Sequence, residues 1–152
     1  MEQLKLIALD TDDLAVVSAH LQDSDVKVGE ILWRPKENRL VMALDRFDWV
    51  TNGKDAGCWR RKAALRFERV MACQCKNVLS AQKDKVLNLL AIDFAESDAP
   101  AGTVTLMFED GAMLRLEVEC LEVELADLGP VWAVDCCPGH SEIEGEGKKE
   151  LA

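Results

Sequence analysis

The sequence predicts an α+β domain: a mainly antiparallel sheet of about seven strands, barrel- or sandwich-like, with one helix near the N-terminus and one short helix near the C-terminus. Two observations carry this. Between Val26 and Glu119 apolar and polar residues alternate repeatedly: Leu40, Met42, Leu44; Ala63, Leu65, Phe67; Leu90, Ile92, Phe94; Val104, Leu106, Phe108; Leu114, Leu116, Val118. A period of two buries one face of a sheet and wets the other. Short turn-forming stretches separate these runs, so successive strands connect locally and pair antiparallel.

Leu4–Leu9 reads as a first strand. Asp10-Thr11-Asp12-Asp13 opens a helix, with Asp10 or Thr11 capping the free N–H groups and the other acids favouring the positive end of the dipole. Leu14, Val17 and Leu21 mark its buried face, and Asp23-Ser24-Asp25 ends it. Val26–Arg34 reads as one strand whose alternation slips at Gly29, where a bulge would bring Val26, Val28, Ile31 and Trp33 to the core side. Pro35-Lys36-Glu37-Asn38 is a turn before a strand at Arg39–Trp49. Residues 51–57 form a loop. Trp59–Val70 is a long strand that Met71–Lys76 continues after a bend.

Residues 80–85 are a polar connection and Val86–Phe94 a central strand. Thr103–Phe108 and Ala112–Glu119 flank Glu109-Asp110-Gly111, a strong short-range hairpin signal. Leu121, Leu125 and Leu128 then fit a helix closed by Gly129-Pro130, although Leu121, Val123 and Leu125 also alternate as in a strand; the stop signal favours the helix. A pleckstrin-homology-like half-open barrel, plugged by that last helix, fits the order of elements. Residues 1–137 are expected to form one domain, and the Gly-, Glu- and Lys-rich residues 138–152 an unordered tail.

Composition narrows the function classes. With 152 residues, 49% apolar and 30% charged, the chain can bury a core unaided. No run approaches the ~18 apolar residues of a membrane span, and no secretory signal opens the chain. A cytoplasmic location with reduced thiols is therefore expected. Net charge is −10, but residues 27–85 carry +7 between flanks of −5 and −12. The total disfavours nucleic acid and anionic membranes, while the basic middle suits an acidic protein or anionic small molecule unless the chain's own acidic C-terminal part, with Glu117, Glu119, Glu122 and Glu124, neutralises it.

Catalytic motifs are missing. His20 falls on the first helix and His140 in the tail, neither beside an obvious nucleophile, and tyrosine is absent. There is no phosphate-cradling glycine loop, and no cofactor is expected. Two constellations remain. Arg46, Trp49, Trp59, Arg60, Lys62 and Arg66 form a basic-aromatic surface suited to phosphates or carboxylates, unless the arginine stems merely cover a solvated sheet face. Cys73 and Cys75 share one strand face; with Cys136 and His140 they offer four zinc ligands, but without the usual Cys-x-x-Cys spacing, so no metal is assigned and core packing is the plainer reading.

The segments Leu4–Asp23, Arg46-Phe47-Asp48-Trp49, Arg60–Val70, Leu87–Phe94, Ala99–Phe108 and Leu114–Trp132 resemble a family of short bacterial proteins known only as a domain of unknown function. The resemblance spans roughly residues 4–132. It implies a single cytoplasmic bacterial domain with a dispensable tail, and no activity, cofactor or catalytic residue. The function expected from the residues is a non-enzymatic binding module that uses the basic-aromatic face. A small enzyme with a carboxylate acid/base pair and a zinc- or thiol-based sensor are the alternatives.

Overall fold

A computed structural model describes residues 3–50, 57–78 and 81–133, of which residues 48–50, 57–58 and 130–133 are described by their backbone alone. The strands are β1 (Lys5–Ala8), β2 (Ser24–Lys27), β3 (Ile31–Arg34), β4 (Arg39–Val50), β5 (Gly57–Phe67), β6 (Val70–Lys76), β7 (Val86–Glu96), β8 (Gly102–Phe108), β9 (Met113–Val118) and β10 (Val123–Ala133), with one helix, α1 (Thr11–Leu21). All pair antiparallel in one sheet, ordered β1-β10-β5-β4-β2-β7-β8-β9-β6, with β3 beside β4.

α1 starts as its sequence dictates. The Asp10 side chain accepts from the Asp13 N–H at 2.8 Å. Leu14, Val17 and Leu21 are buried against β7, β1 and β4. Ser18 Oγ accepts the Ile92 N–H at 3.0 Å, which pins the helix to β7 just past the stretch paired with β2.

Among the described residues the strand count is ten, not about seven, for three local reasons. Val26–Arg34 is two strands, because Val28–Glu30 forms a 3-10 turn where a bulge was expected. Gly29 packs under the 81–85 connection there, its N–H donating to the Lys83 carbonyl at 2.9 Å. The chain also breaks at Glu68-Arg69, Arg69 taking a φ of 61°, so that β5 and β6 join different neighbours.

The third reason is the expected C-terminal helix, which is strand β10. Val123 and Leu125 are buried as the alternating reading requires, while Leu128, the last residue of the helical pattern, is 55% exposed. β10 lies between β1 and β5 and pairs the facing edge of each, edges that a helix at that place would leave without partners. Gly129 is not a helix cap; its φ of 145° sits in the register shift between Asp127 and Val131.

Among the described residues the sheet is an open path ending at β1 and β6, not a closed barrel, and no helix follows β9 to plug it. Both halves of the path send residues into one core. Leu40, Met42, Leu44, Leu65 and Phe67 come from β4 and β5; Val104, Leu106, Phe108, Leu114 and Leu116 come from β8 and β9. Each such side chain, fully buried, stabilises the fold by about 1.5–3 kcal/mol before entropy is counted. β7 keeps Leu87, Leu89 and Ile92 inside by shifting register between Leu89 and Ala91, which turns Leu90 outward at 40% exposure. The Glu109-Asp110-Gly111 hairpin is present, with Asp110 and Gly111 both at positive φ. Among the described residues no helix is long and apolar enough to cross a membrane. The tail expected from residue 138 lies outside the described residues.

Candidate functional site

The basic-aromatic residues divide by strand parity. Arg46 follows Leu40, Met42 and Leu44 on the inward face of β4, and Arg61 precedes Ala63 and Leu65 on the inward face of β5. The two face each other in register and converge on Asp127 of β10. Arg46 Nε donates to Asp127 Oδ1 at 2.8 Å and its Nη2 to Oδ2 at 2.9 Å, while Arg61 Nε stands 3.5 Å from Oδ2. The Leu4 N–H donates to the same oxygen at 2.6 Å. Arg46 and Arg61 are 4% and 1% exposed, so this cluster belongs to the interior, not to a binding face. Burial pushes the Asp127 carboxyl up, but the Arg46 and Leu4 hydrogen bonds and the charges of both arginines outweigh it and hold it below its ordinary range.

Arg60, Lys62 and Arg66 point to the other face, and there the chain supplies their counter-charges. Arg60 lies over the Phe47 ring, 3.7 Å from its centroid, with Nη2 at 3.0 Å from Asp25 Oδ2 and Nη1 donating to the Asp45 carbonyl at 2.7 Å. Lys62 meets Asp45 at 3.0 Å and Glu30 at 3.8 Å. Arg66 pairs with Glu124 and, at 3.0 Å, with Glu68, which also holds Arg39 at 2.8 Å. Lys5 joins Glu124 at 3.3 Å from β1. The pairs run across five strands, each worth little in stability, and together they offset the charges of Arg39, Arg60, Lys62 and Arg66. Trp59 is half-buried at the start of β5, on the parity of Arg61. Trp49 sits opposite Cys58 in β4, and its side chain lies outside the described part of the structure.

Cys73 and Cys75 fall on one face of β6, opposite Leu116 and Leu114. Cys73 is half-buried against the core, and burial, then the neighbouring Cys75, push its thiol up. Cys75 is exposed and its Sγ lies 3.6 Å from the Val78 carbonyl oxygen. Cys136 and His140 lie outside the described residues. Among the described residues no three His, Cys, Asp or Glu side chains gather as metal ligands.

Two depressions were not legible in the sequence. One, of about 250 Å³, lies between β2, β7 and the β8–β9 turn, lined by Asp25, Asn77, Lys85, Asn88, Glu109 and Asp110 among others. Glu109 is an exposed residue; partial desolvation, then Asp110, Asp23 and Asp25, raise its carboxyl. Asn88 Nδ2 bridges the Asp23 carbonyl at 3.1 Å and Asp25 Oδ1 at 3.3 Å. The other, of about 220 Å³, lies on the β6–β9 edge, lined by Gln74, Cys75, Lys76, Met113 and Arg115. Gln74 faces Arg115 across the pair and Lys76 faces Met113, so both cations share the face away from Leu114 and Leu116. Among the described residues neither Lys76 nor Arg115 forms an ion pair.

No curated protein and no solved structure matches the chain. A family does, over residues 4–140, which takes in the whole described fold apart from Gln3. That family is described as protein of unknown function (DUF2948), and the chain belongs to it.

Proposed function

We propose that this chain is a non-enzymatic interaction module for an acidic partner, and that the contact lies on the β6–β9 edge. The observation that carries this is the contrast between two basic surfaces. Arg60, Lys62 and Arg66 already hold carboxylates of their own chain, so a ligand carboxylate must displace one of these to bind. Lys76 and Arg115 have no such competitor among the described residues and border a concave surface. Their charges remain available to an incoming anion, and that field also accelerates encounter. A labelled, capped hexaglutamate peptide tests the reading by fluorescence anisotropy at low salt. The double variant Lys76→Glu/Arg115→Glu is expected to weaken binding about tenfold or more, the scale of ~1.4 kcal/mol from two exposed charge contacts. A triple Arg60→Ala/Lys62→Ala/Arg66→Ala variant should leave it within about twofold. The reverse ranking would transfer the site to β4–β5.

A second reading, acid–base chemistry in the other depression, is favoured by Glu109 alone. A carboxyl raised by partial desolvation and by neighbouring carboxylates is the form a general acid takes. Carbon-detected NMR titration of Glu109 at an ordinary carboxylate value would remove this reading.

A further inference from the structure

The exposed edge of β6 has a shape that the proposed function does not by itself require. Among the described residues β6 is the last strand of the sheet's path and pairs only with β9. Of its seven residues, Met71, Ala72, Gln74, Cys75 and Lys76 are exposed, Val70 is buried and Cys73 half-buried. The Val70 N–H is spoken for by the Asn38 carbonyl at 2.9 Å, and the register shift between Val70 and Ala72 twists the start of the strand. From Ala72 to Lys76 the pairing with β9 is regular. In a regular antiparallel pair every second residue turns its N–H and C=O away from the neighbour. Edges this open are normally shortened or blocked, because they template further pairing. The opposite edge, β1, is kept to four residues and carries Lys5. β6 is longer, and its cation Lys76 stands at the end of the run, where it marks a boundary without blocking the centre.

We propose that Ala72–Lys76 accepts an added strand, and that its occupant is an extended peptide of a partner protein with acidic side chains at alternate positions. The mode rests on the reading of β6–β9 as the contact surface and adds its geometry. A strand laid along β6 runs about 4.8 Å from it and repeats its side chains to the same face every second residue. On the outward face those side chains meet Lys76, with Arg115 one strand further in across Gln74. Carboxylates at that period match both cations, and main-chain bonds to the edge supply the rest of the affinity, as in other strand-addition complexes. Charge complementarity selects this occupant over a second copy, which would bring like cations to the edge and a second net charge of −10.

The test uses the full chain, isotope-labelled, and the capped peptide Thr-Glu-Val-Glu-Val-Glu-Thr. Amide exchange should slow at alternate residues between Ala72 and Lys76 when this peptide is added. A version with lysine in place of glutamate, and one N-methylated at every second amide, should each bind about tenfold more weakly or worse, a loss on the scale of a pair of charge or main-chain contacts. The N-methylated probe acts on the unaltered protein, so the result does not depend on a variant folding. Glutamate-dependent binding without exchange protection in β6 overturns strand addition and leaves the interaction reading standing. No binding of either acidic probe overturns both. Protection already present without peptide overturns the proposed occupant: if deletion of residues 134–152 removes it, the chain covers its own edge, and if it grows with protein concentration, a second copy does.

Discussion

Arg46 and Asp127, 81 residues apart in sequence, meet through two hydrogen bonds of 2.8 and 2.9 Å inside the protein, and Arg61 approaches the same carboxylate. With the Leu4 N–H on Oδ2, one acidic side chain ties β4, β5, β10 and the residues just before β1. Removing the anion of such a cluster leaves guanidinium charge in a low-dielectric site, which costs roughly 3–5 kcal/mol. Asp127→Asn is therefore expected to lower the denaturation midpoint sharply near neutral pH.

The same carboxylate sets an acid limit. Its folded value lies below the ordinary one, so the stability it contributes is complete above the usual carboxylate range and is lost as pH falls through the folded value. Urea melts from pH 7 down to about pH 2 should show the gap between the wild type and Asp127→Asn closing below about pH 4. A constant gap would mean the asparagine effect is steric.

Glu109 carries the opposite sign. Its folded value is raised, so ionising it opposes folding as pH rises through the carboxylate range. Glu109→Gln is expected to raise the melting temperature at pH 7 and to have no effect at pH 3, where the wild-type side chain is protonated in both states. Paired scans at the two pH values check this.

Gly102 opens β8 beneath the Phe94 ring. A Cβ there would fall 2.5 Å from the Ala95 carbonyl oxygen and 2.6 Å from the ring. Because one of these obstacles is backbone, rotating the ring cannot relieve the overlap. Gly102→Ala should cost about 1–3 kcal/mol, the range for overpacking, read from the urea midpoint at unchanged m-value.

The two β6 thiols should react at different rates. Cys75 is exposed, whereas burial and its neighbour raise the Cys73 thiol and reduce its thiolate fraction. Timed iodoacetamide labelling at pH 7.5, followed by peptide mass spectrometry, should find Cys75 modified first. Equal rates would show that β6 opens readily from β9.

Where side-chain pattern and local turn chemistry agree, the sequence is enough: the Asp10 cap with Leu14, Val17 and Leu21, and the β8–β9 hairpin, need nothing remote. It misleads where a local signal is overridden from a distance. Gly129-Pro130 looks like a helix stop, yet β1 and β5 on either side make residues 123–133 a strand. The buried ionic cluster was readable in part, since Arg46 and Asp127 continue the inward parity of Leu44 and Leu125. That the chain's own acids could neutralise the basic strand was readable, and Glu124 does meet Arg66; that Arg60 and Lys62 meet Asp25 and Asp45 was not, because cross-strand register decides it. Lys76 and Arg115 stood apart for the same reason: they are 39 positions distant in sequence and become neighbours only through the β6–β9 pairing.

The seating of β1 against β10 has a consequence for synthesis. Lys5–Ala8 pairs with Val123–Ala126, and Leu4 bonds to Asp127, so the earliest strand waits for some of the last residues of the sheet to leave the ribosome. Contacts of such wide sequence separation form late and slowly. Until then β1, which includes Leu6 and Ile7, has no edge to join, and a nascent chain stalled before residue 123 presents that apolar segment to chaperones instead.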